Sequence, residues 1–213
     1  MLTVLSFLLF AAASGDPGSG RLQVFIAPSG EPFRVYGDDA PYPLVDWFAG
    51  ADANGDGQLD FAEFNADFLR FFAELDVNQD GSIDGIERAR YENEIAPETQ
   101  SGPYDERLRA REEKARKPDF GGSDQGASTV LRPKPSYSNT SGAAQYEMLG
   151  QPEPVAAMDM LMHGRITATD ASNAARLCFR QLDSQNRGYL TLDTLPETYA
   201  ESGGGGRGGK KRN

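Results

Sequence analysis

The sequence predicts a mainly α-helical protein built from helix–loop–helix repeats, two intact and two degenerate, with short β contacts between loops and a long irregular linker. Apolar residues recur at steps of three and four between Phe61 and Leu75, which is the spacing of one helix face. Twelve-residue loops rich in Asp, Asn and Gly flank this helix, and two eroded copies follow later. One Cys and one His among 213 residues exclude a disulfide scaffold and a Cys/His zinc site. The acidic loop residues are therefore the candidates for function.

Changes in composition divide the chain into six expected segments. The extension before the first repeat contains one strand-like run, Leu22–Ile26. The last helix of the first pair of repeats is expected from Ile86 to Ile95, and Pro97 ends it. The segments are a signal peptide (1–13), an N-terminal extension (14–41), an intact pair of repeats (42–96), a partly disordered linker (97–154), a degenerate pair (155–200) and a Gly-rich basic tail (201–213).

The first residues resemble a secretory signal. An apolar run from Leu2 to Ala13 is shorter than the ~20 residues that span a bilayer. Ala11 and Ala13 fit a small-residue cleavage site, although no Lys or Arg precedes Arg21. We therefore expect a secreted or periplasmic protein with no membrane span after signal removal.

The acidic charge is concentrated in one part of the chain. Fifteen acids and three bases lie between Asp38 and Glu94, a net charge of −12, whereas the whole chain carries −11. Such a segment attracts cations and repels polyanions. This distribution favours a metal ion as partner and argues against nucleic acid as the main one.

The first intact loop, residues 52–63, has the ligand pattern that a hard cation needs. Ca²⁺ takes about six to eight oxygen ligands. The loop offers side-chain oxygens at positions 1, 3, 5, 9 and 12, a backbone carbonyl at position 7, and Gly57 at position 6 for the sharp turn. The predicted ligands are Asp52, Asn54, Asp56, Gln58, Asp60 and Glu63.

The second loop, residues 76–87, repeats this pattern. Its predicted ligands are Asp76, Asn78, Asp80, Ser82, Asp84 and Glu87. Together the two loops resemble those of the EF-hand (calmodulin) superfamily, and the layout of the chain is similar to that of bacterial secreted EF-hand proteins. The resemblance implies two Ca²⁺ sites, with Mg²⁺ or a lanthanide as alternative ions.

The lanthanide alternative depends on the loop spacing. The two loops start 24 residues apart and carry Asp at position 9, as in lanmodulin-like proteins. That family usually has Pro at position 2, where this chain has Ala53 and Val77. Asn54 and Asn78 also lower the charge where a trivalent ion needs more. Calcium is therefore the main prediction.

Two further loops keep the spacing but not the ligands. Residues 159–170 and 183–194 also start 24 residues apart, which indicates a duplicated unit. His163 occupies position 5 of the third loop, and Arg187 and Thr194 occupy positions 5 and 12 of the fourth. We expect this unit not to bind metal, and His163 to be solvated.

The intervals between loops predict how the loops pair. Only 12 residues separate the first loop from the second, enough for a single helix of about 18 Å. One helix then holds the two loops at opposite ends, so Leu59 cannot reach Ile83. The alternatives are a bent helix with local pairing and a homodimer. The prediction is pairing between units, Leu59 with Leu190 and Ile83 with Ile166, within one domain.

Two classes of binding function remain open. A calcium-responsive interaction module would expose a Phe-lined groove for a protein partner of unknown identity, whereas a structural or buffering protein would hold metal without opening. The chain offers no acid–base pair, nucleophile or phosphate loop outside the metal loops, so an enzyme is not expected. The groove residues would be Phe64, Phe68, Phe71 and Phe72.

Overall fold

A computed structural model describes residues 20–100 and 142–202. It is mainly helical, with short strands in small sheets. The helices are α1 (Leu44–Ala51), α2 (Phe61–Leu75), α3 (Gly85–Arg90), α4 (Pro154–Ala157) and α5 (Ala168–Leu182). The strands are β1 (Leu22–Ile26), β2 (Pro32–Tyr36), β3 (Leu59–Asp60), β4 (Ser82–Ile83), β5 (Ile166–Thr167) and β6 (Tyr189–Leu190). A π-helical turn (Tyr91–Ile95) and 3₁₀ turns (Pro97–Gln100 and Gly142–Gln145) complete the fold.

The long helices α2 and α5 form the centre of the molecule. A capping box starts each one: Asp60 accepts the N–H of Glu63 before α2, and Thr167 accepts that of Asp170 before α5. The Phe stripe of α2 is buried, with Phe64 and Phe68 at most 1% exposed. Phe179 of α5 packs on Phe64 with ring centroids 5.5 Å apart. The periodicity therefore predicts α2 and its buried face correctly.

Each intact loop pairs with a loop of the other unit. Antiparallel ladders join Leu59 to Leu190 and Ile83 to Ile166, and all four side chains are at most 1% exposed. These are the pairs expected from the short intervals between the loops. Residues 42–96 and 155–200 thus share one hydrophobic core.

The N-terminal extension contains the strand predicted at Leu22–Ile26, which forms one half of a β-hairpin. β1 pairs with β2, a strand that the sequence analysis does not identify. Phe25 is fully buried and its ring contacts Trp47 with centroids 5.6 Å apart, while Tyr91 donates its hydroxyl hydrogen to the carbonyl of Gly30 at 2.8 Å. The extension is thus part of the core, because it covers the open side of the first unit.

Both ends of the predicted linker also belong to the fold. Thr99, Ala143 and Glu147 are at most 4% exposed. The N–H of Ile26 in β1 donates to the carbonyl of Tyr146 at 2.9 Å, which attaches this segment to the hairpin. The irregular stretch predicted over 97–154 is therefore too long at both ends.

Some expectations fall outside the described residues or differ in detail. The signal segment, most of the linker and the tail after residue 202 lie outside the described ranges. The predicted helix 86–95 is divided between α3 and the π-helical turn, and it ends before Pro97 as expected. Within residues 20–100 and 142–202, no helix combines the length and apolarity needed to cross a membrane.

Candidate metal centre

The first loop folds around its own carboxylate and amide groups. Asp52 Oδ2 accepts the N–H of Gly57 at 2.8 Å, and its Oδ1 accepts that of Gly55 at 2.9 Å. Asn54 Oδ1 accepts the N–H of Asp56 at 2.8 Å, and Asp56 Oδ1 accepts the N–H of Gln58 at the same distance. Gly57 has a φ of +77°, which favours glycine and gives the sharp turn. These bonds wind positions 1 to 7 into a tight coil.

The last ligand closes the loop from the far side. Glu63 lies in the first turn of α2, and its carboxylate reaches back to accept the N–H groups of Asn54 at 3.2 Å and of Asp60 at 3.1 Å. Asp60 Oδ1 in turn accepts the N–H of Glu63 at 2.9 Å. Position 12 is thus fixed against positions 3 and 9, so both of its oxygens lie on the inner side of the loop.

The second loop repeats these contacts in a more buried setting. Asp76 Oδ2 accepts the N–H of Gly81 at 2.9 Å, and Glu87 accepts those of Val77 at 2.8 Å and of Asp84 at 3.0 Å. Asp76 and Glu87 are 8% and 7% exposed, whereas their counterparts in the first loop are half-buried. The second loop is therefore wound in the same way and held closer to the core.

The remaining predicted ligands of the second loop surround Asp80. Asn78 Oδ1 accepts the N–H of Asp80 at 2.8 Å, and Ser82 donates both its N–H and its hydroxyl to Asp80 Oδ1, at 3.0 and 2.8 Å. The Ser82 hydroxyl bond lowers the pKa of Asp80 below its usual value. Asp84 caps α3 by accepting the N–H of Glu87 at 3.0 Å.

The donor set of both loops fits a hard cation. Every predicted ligand is an oxygen, and each loop brings four carboxylates. Among the described residues, no three Asp, Glu, His or Cys side chains are gathered as a ready-made metal site. Instead, the carboxylates accept backbone N–H groups within their own loops.

The degenerate loops show which residues shape the turn. Asp159 Oδ2 accepts the N–H of Gly164, and Asp183 Oδ2 that of Gly188, both at 2.7 Å. The hydrogen bond between the Asp at position 1 and the Gly at position 6 is thus kept in both degenerate loops, although position 5 carries no carboxylate in either. The His163 side chain is 58% exposed, as its predicted solvated role requires.

A partly buried ionic network supports the helix that joins the two intact loops. The indole N–H of Trp47 donates to Asp67 at 3.0 Å, and Arg70 pairs with Asp67 at 2.6 Å and also with Glu31 of the hairpin turn. Burial raises the pKa of Glu31 above its usual value. The network fixes α1 and the hairpin to α2, and no periodic pattern in the sequence predicts it.

The buried thiol of the chain does not contribute to the site. Cys178 is 4% exposed, and burial raises the pKa of its thiol to about 11. A thiol with such a pKa is almost fully protonated near neutral pH and is neither a metal ligand nor a nucleophile. Cys178 is therefore a buried, inert thiol.

Comparison with known proteins identifies the first unit. The EF hand family model matches residues 44–69 and 70–87, which include both intact loops. No curated protein and no solved structure matches the chain. The family implies calcium binding, while the similarity to bacterial secreted and lanmodulin-like proteins stays a prediction. Residues 44–87 therefore match the EF hand family, and this match supports calcium binding by the two intact loops.

Proposed function

We propose that the protein binds two Ca²⁺ ions, one in each intact loop, and holds them as a structural or buffering protein outside the cytoplasm. The observation behind the proposal is the position of Glu63 and Glu87. Each carboxylate reaches back across its own loop, Glu63 to the N–H groups of positions 3 and 9 and Glu87 to those of positions 2 and 9. From there its two oxygens can complete the oxygen shell of a cation bound in that loop. The degenerate unit supports the loops through the two ladders and binds no metal.

The packing of the Phe stripe supports holding over sensing. Phe71 and Phe72 are 2% and 6% exposed, and Phe64 contacts Phe179 of α5. A calcium-responsive module would have to separate α2 from α5 and break both ladders to expose this face. A dye that reports apolar surface is expected to give the same signal with and without Ca²⁺. A large rise on loading would favour the interaction module, and a pull-down in Ca²⁺ would then seek its partner.

The ligands favour calcium over a trivalent ion. Asn54 and Asn78 are neutral, and Asp60 and Asp84 are engaged as helix caps. Mg²⁺ is less suited, because it demands a compact octahedral shell and gives up water reluctantly. Terbium emission sensitised by Trp47 tests this choice. Displacement of Tb³⁺ by Ca²⁺ at a similar concentration would support calcium, and Tb³⁺ binding that resists excess Ca²⁺ would support the lanthanide alternative.

Calorimetric titration of the full chain tests the proposal directly. Two equivalents of Ca²⁺ are expected, with affinities between micromolar and millimolar. Glu63→Gln and Glu87→Gln should each reduce the stoichiometry to about one, because a neutral amide offers one oxygen in place of two. Asp170→Asn is the matched control at position 12 of a degenerate loop and should leave two sites. An unchanged stoichiometry in both Glu variants would contradict the proposal.

The compartment is a separate part of the proposal. The apolar run Leu2–Ala13 and the small residues before Ser14 support export. Expression in a bacterial host, followed by N-terminal sequencing of the exported protein, should give Ser14 as the first residue. Retention of an intact N-terminus in the cytoplasm would contradict export without affecting the metal sites.

A further inference from the structure

One cation of the degenerate unit reaches into an intact loop. Arg165, at position 7 of the third loop, donates from Nη2 to Asp80 Oδ2 at 3.3 Å. The two residues are 85 positions apart in the chain, and the ladder between Ile83 and Ile166 brings them together. Asp80 is a predicted ligand at position 5 of the second loop. The scaffold loop thus places a positive charge on a metal-binding carboxylate.

This contact leaves Asp80 fully engaged by protein groups. Its Oδ1 accepts from Ser82, and its Oδ2 accepts from Arg165 and from Asn78 Nδ2, also at 3.3 Å. Asp56 is the equivalent residue of the first loop. Within the part of the chain that the structure describes, Asp56 accepts only the N–H of Gln58 at Oδ1. A metal ion would therefore have to compete with Arg165 for the carboxylate at position 5 of the second loop, whereas among the described residues no such cation competes for Asp56 in the first loop.

The first loop receives no such charge from its own partner loop. Arg187 stands at position 5 of the fourth loop, which pairs with the first through Leu190. Its guanidinium donates to Gln185 Oε1 of its own loop, at 2.9 Å from Nε. In the described residues, no hydrogen bond from Arg187 crosses to residues 52–63. Besides the deeper burial of the second loop and its Ser82 hydroxyl bond, the two metal loops thus differ in the cation that the opposite unit supplies.

We propose that Arg165 is a built-in competitor of the metal ion that makes the second site weaker than the first. The inference rests on the proposed function, since it concerns the affinity of the same loops. To ligate a metal, Asp80 Oδ2 must release Arg165, and the guanidinium then lies near a divalent cation of like charge. Because the pair is solvent-exposed, salt screens it, so the gap between the two sites should narrow as ionic strength rises.

The test follows each loop separately by amide NMR during a Ca²⁺ titration of the full chain. The Gly57 and Gly81 amides report the first and second loops, because each donates to the position-1 Asp of its loop. Arg165→Gln should lower the Ca²⁺ midpoint at Gly81 about two- to fivefold, the range for an exposed ion pair, and leave Gly57 unchanged. Arg165→Lys keeps the charge and should keep the weak second site.

Arg187→Gln is the matched control, since it removes the same charge from the loop opposite the first site. It should move neither midpoint by a comparable factor. An unchanged Gly81 midpoint in Arg165→Gln, or equal shifts at both glycines, would overturn the role of Arg165 while two-site binding stands. Absence of saturable Ca²⁺ binding in the unmodified protein would instead refute the proposed function, and this inference with it.

Discussion

Leu190 offers a direct measure of how strongly the degenerate unit supports the first metal loop. It lies in β6, is 1% exposed, and pairs with Leu59, which is fully buried. Leu190→Ala removes three buried carbon groups at about 0.8 kcal/mol each. The cavity left behind adds to this loss, so we expect a destabilisation of about 3–4 kcal/mol. Since Leu59 then faces an alanine in place of the buried Leu190 side chain, part of the loss should appear as weaker Ca²⁺ binding in the first loop.

Urea unfolding in chelator and in saturating Ca²⁺ measures the total effect, and the Gly57 and Gly81 amides show which site weakens. Leu177→Ala is the matched control, because Leu177 lies on α5 and is 43% exposed. It should cost less than about 0.5 kcal/mol. If Leu190→Ala costs no more than the control, or if Gly81 weakens as much as Gly57, the ladder does not support the first loop in the way we infer.

Three further predictions concern other parts of the fold. Gly30→Ala should lower the stability of the fold by about 1–3 kcal/mol, because Gly30 has a φ of +94° and a Cβ there would lie 2.8 Å from Val155 and 2.9 Å from the Tyr91 hydroxyl. Gly50 lies on α1 with open space around it, so Gly50→Ala is the control and should leave stability unchanged or raise it in thermal melting. Burial raises the pKa of Glu147 from 4.5 to about 7. The folded state therefore holds this proton more tightly than the unfolded chain does. The free energy of unfolding of the metal-free protein should rise by up to about 3 kcal/mol as pH falls from 7 toward 4.5, and Glu147→Gln should reduce this dependence of stability on pH, measured by urea unfolding. A chelator should lower helicity and melting temperature, because four carboxylates in each loop repel one another without a cation; unchanged circular dichroism would contradict this coupling.

Local patterns in the sequence were sufficient for the parts of the fold that local physics determines. The apolar spacing predicts α2 to the residue, and the ligand pattern predicts loops whose turn bonds the structure contains. The short interval between loops predicts the pairing of Leu59 with Leu190, because a single straight helix keeps Leu59 away from Ile83 and the second unit offers the equivalent strand.

The features that sequence reasoning missed depend on contacts between distant segments. β2 begins at Pro32 and is stabilised by β1 and by the buried core, so its own pattern is weak. Residues 142–145 are buried by the hairpin and not by a periodic apolar face of their own. Arg165 gives no signal until the ladder places it beside Asp80. In each case the information lies in tertiary packing.

The crossed ladders also set the order in which the protein can mature during synthesis. The first metal loop, residues 52–63, contains β3, but the strand that pairs with β3 is β6, which is not made until Leu190 has been added. An emerging chain therefore carries a highly acidic, unpaired segment until most of its length is available, and only then can both loops close together. For any flexible connection, doubling the number of residues adds only about 0.6 kcal/mol to the entropic cost of closing the loop, so this closure depends far more on the two ladders than on how many residues separate the units.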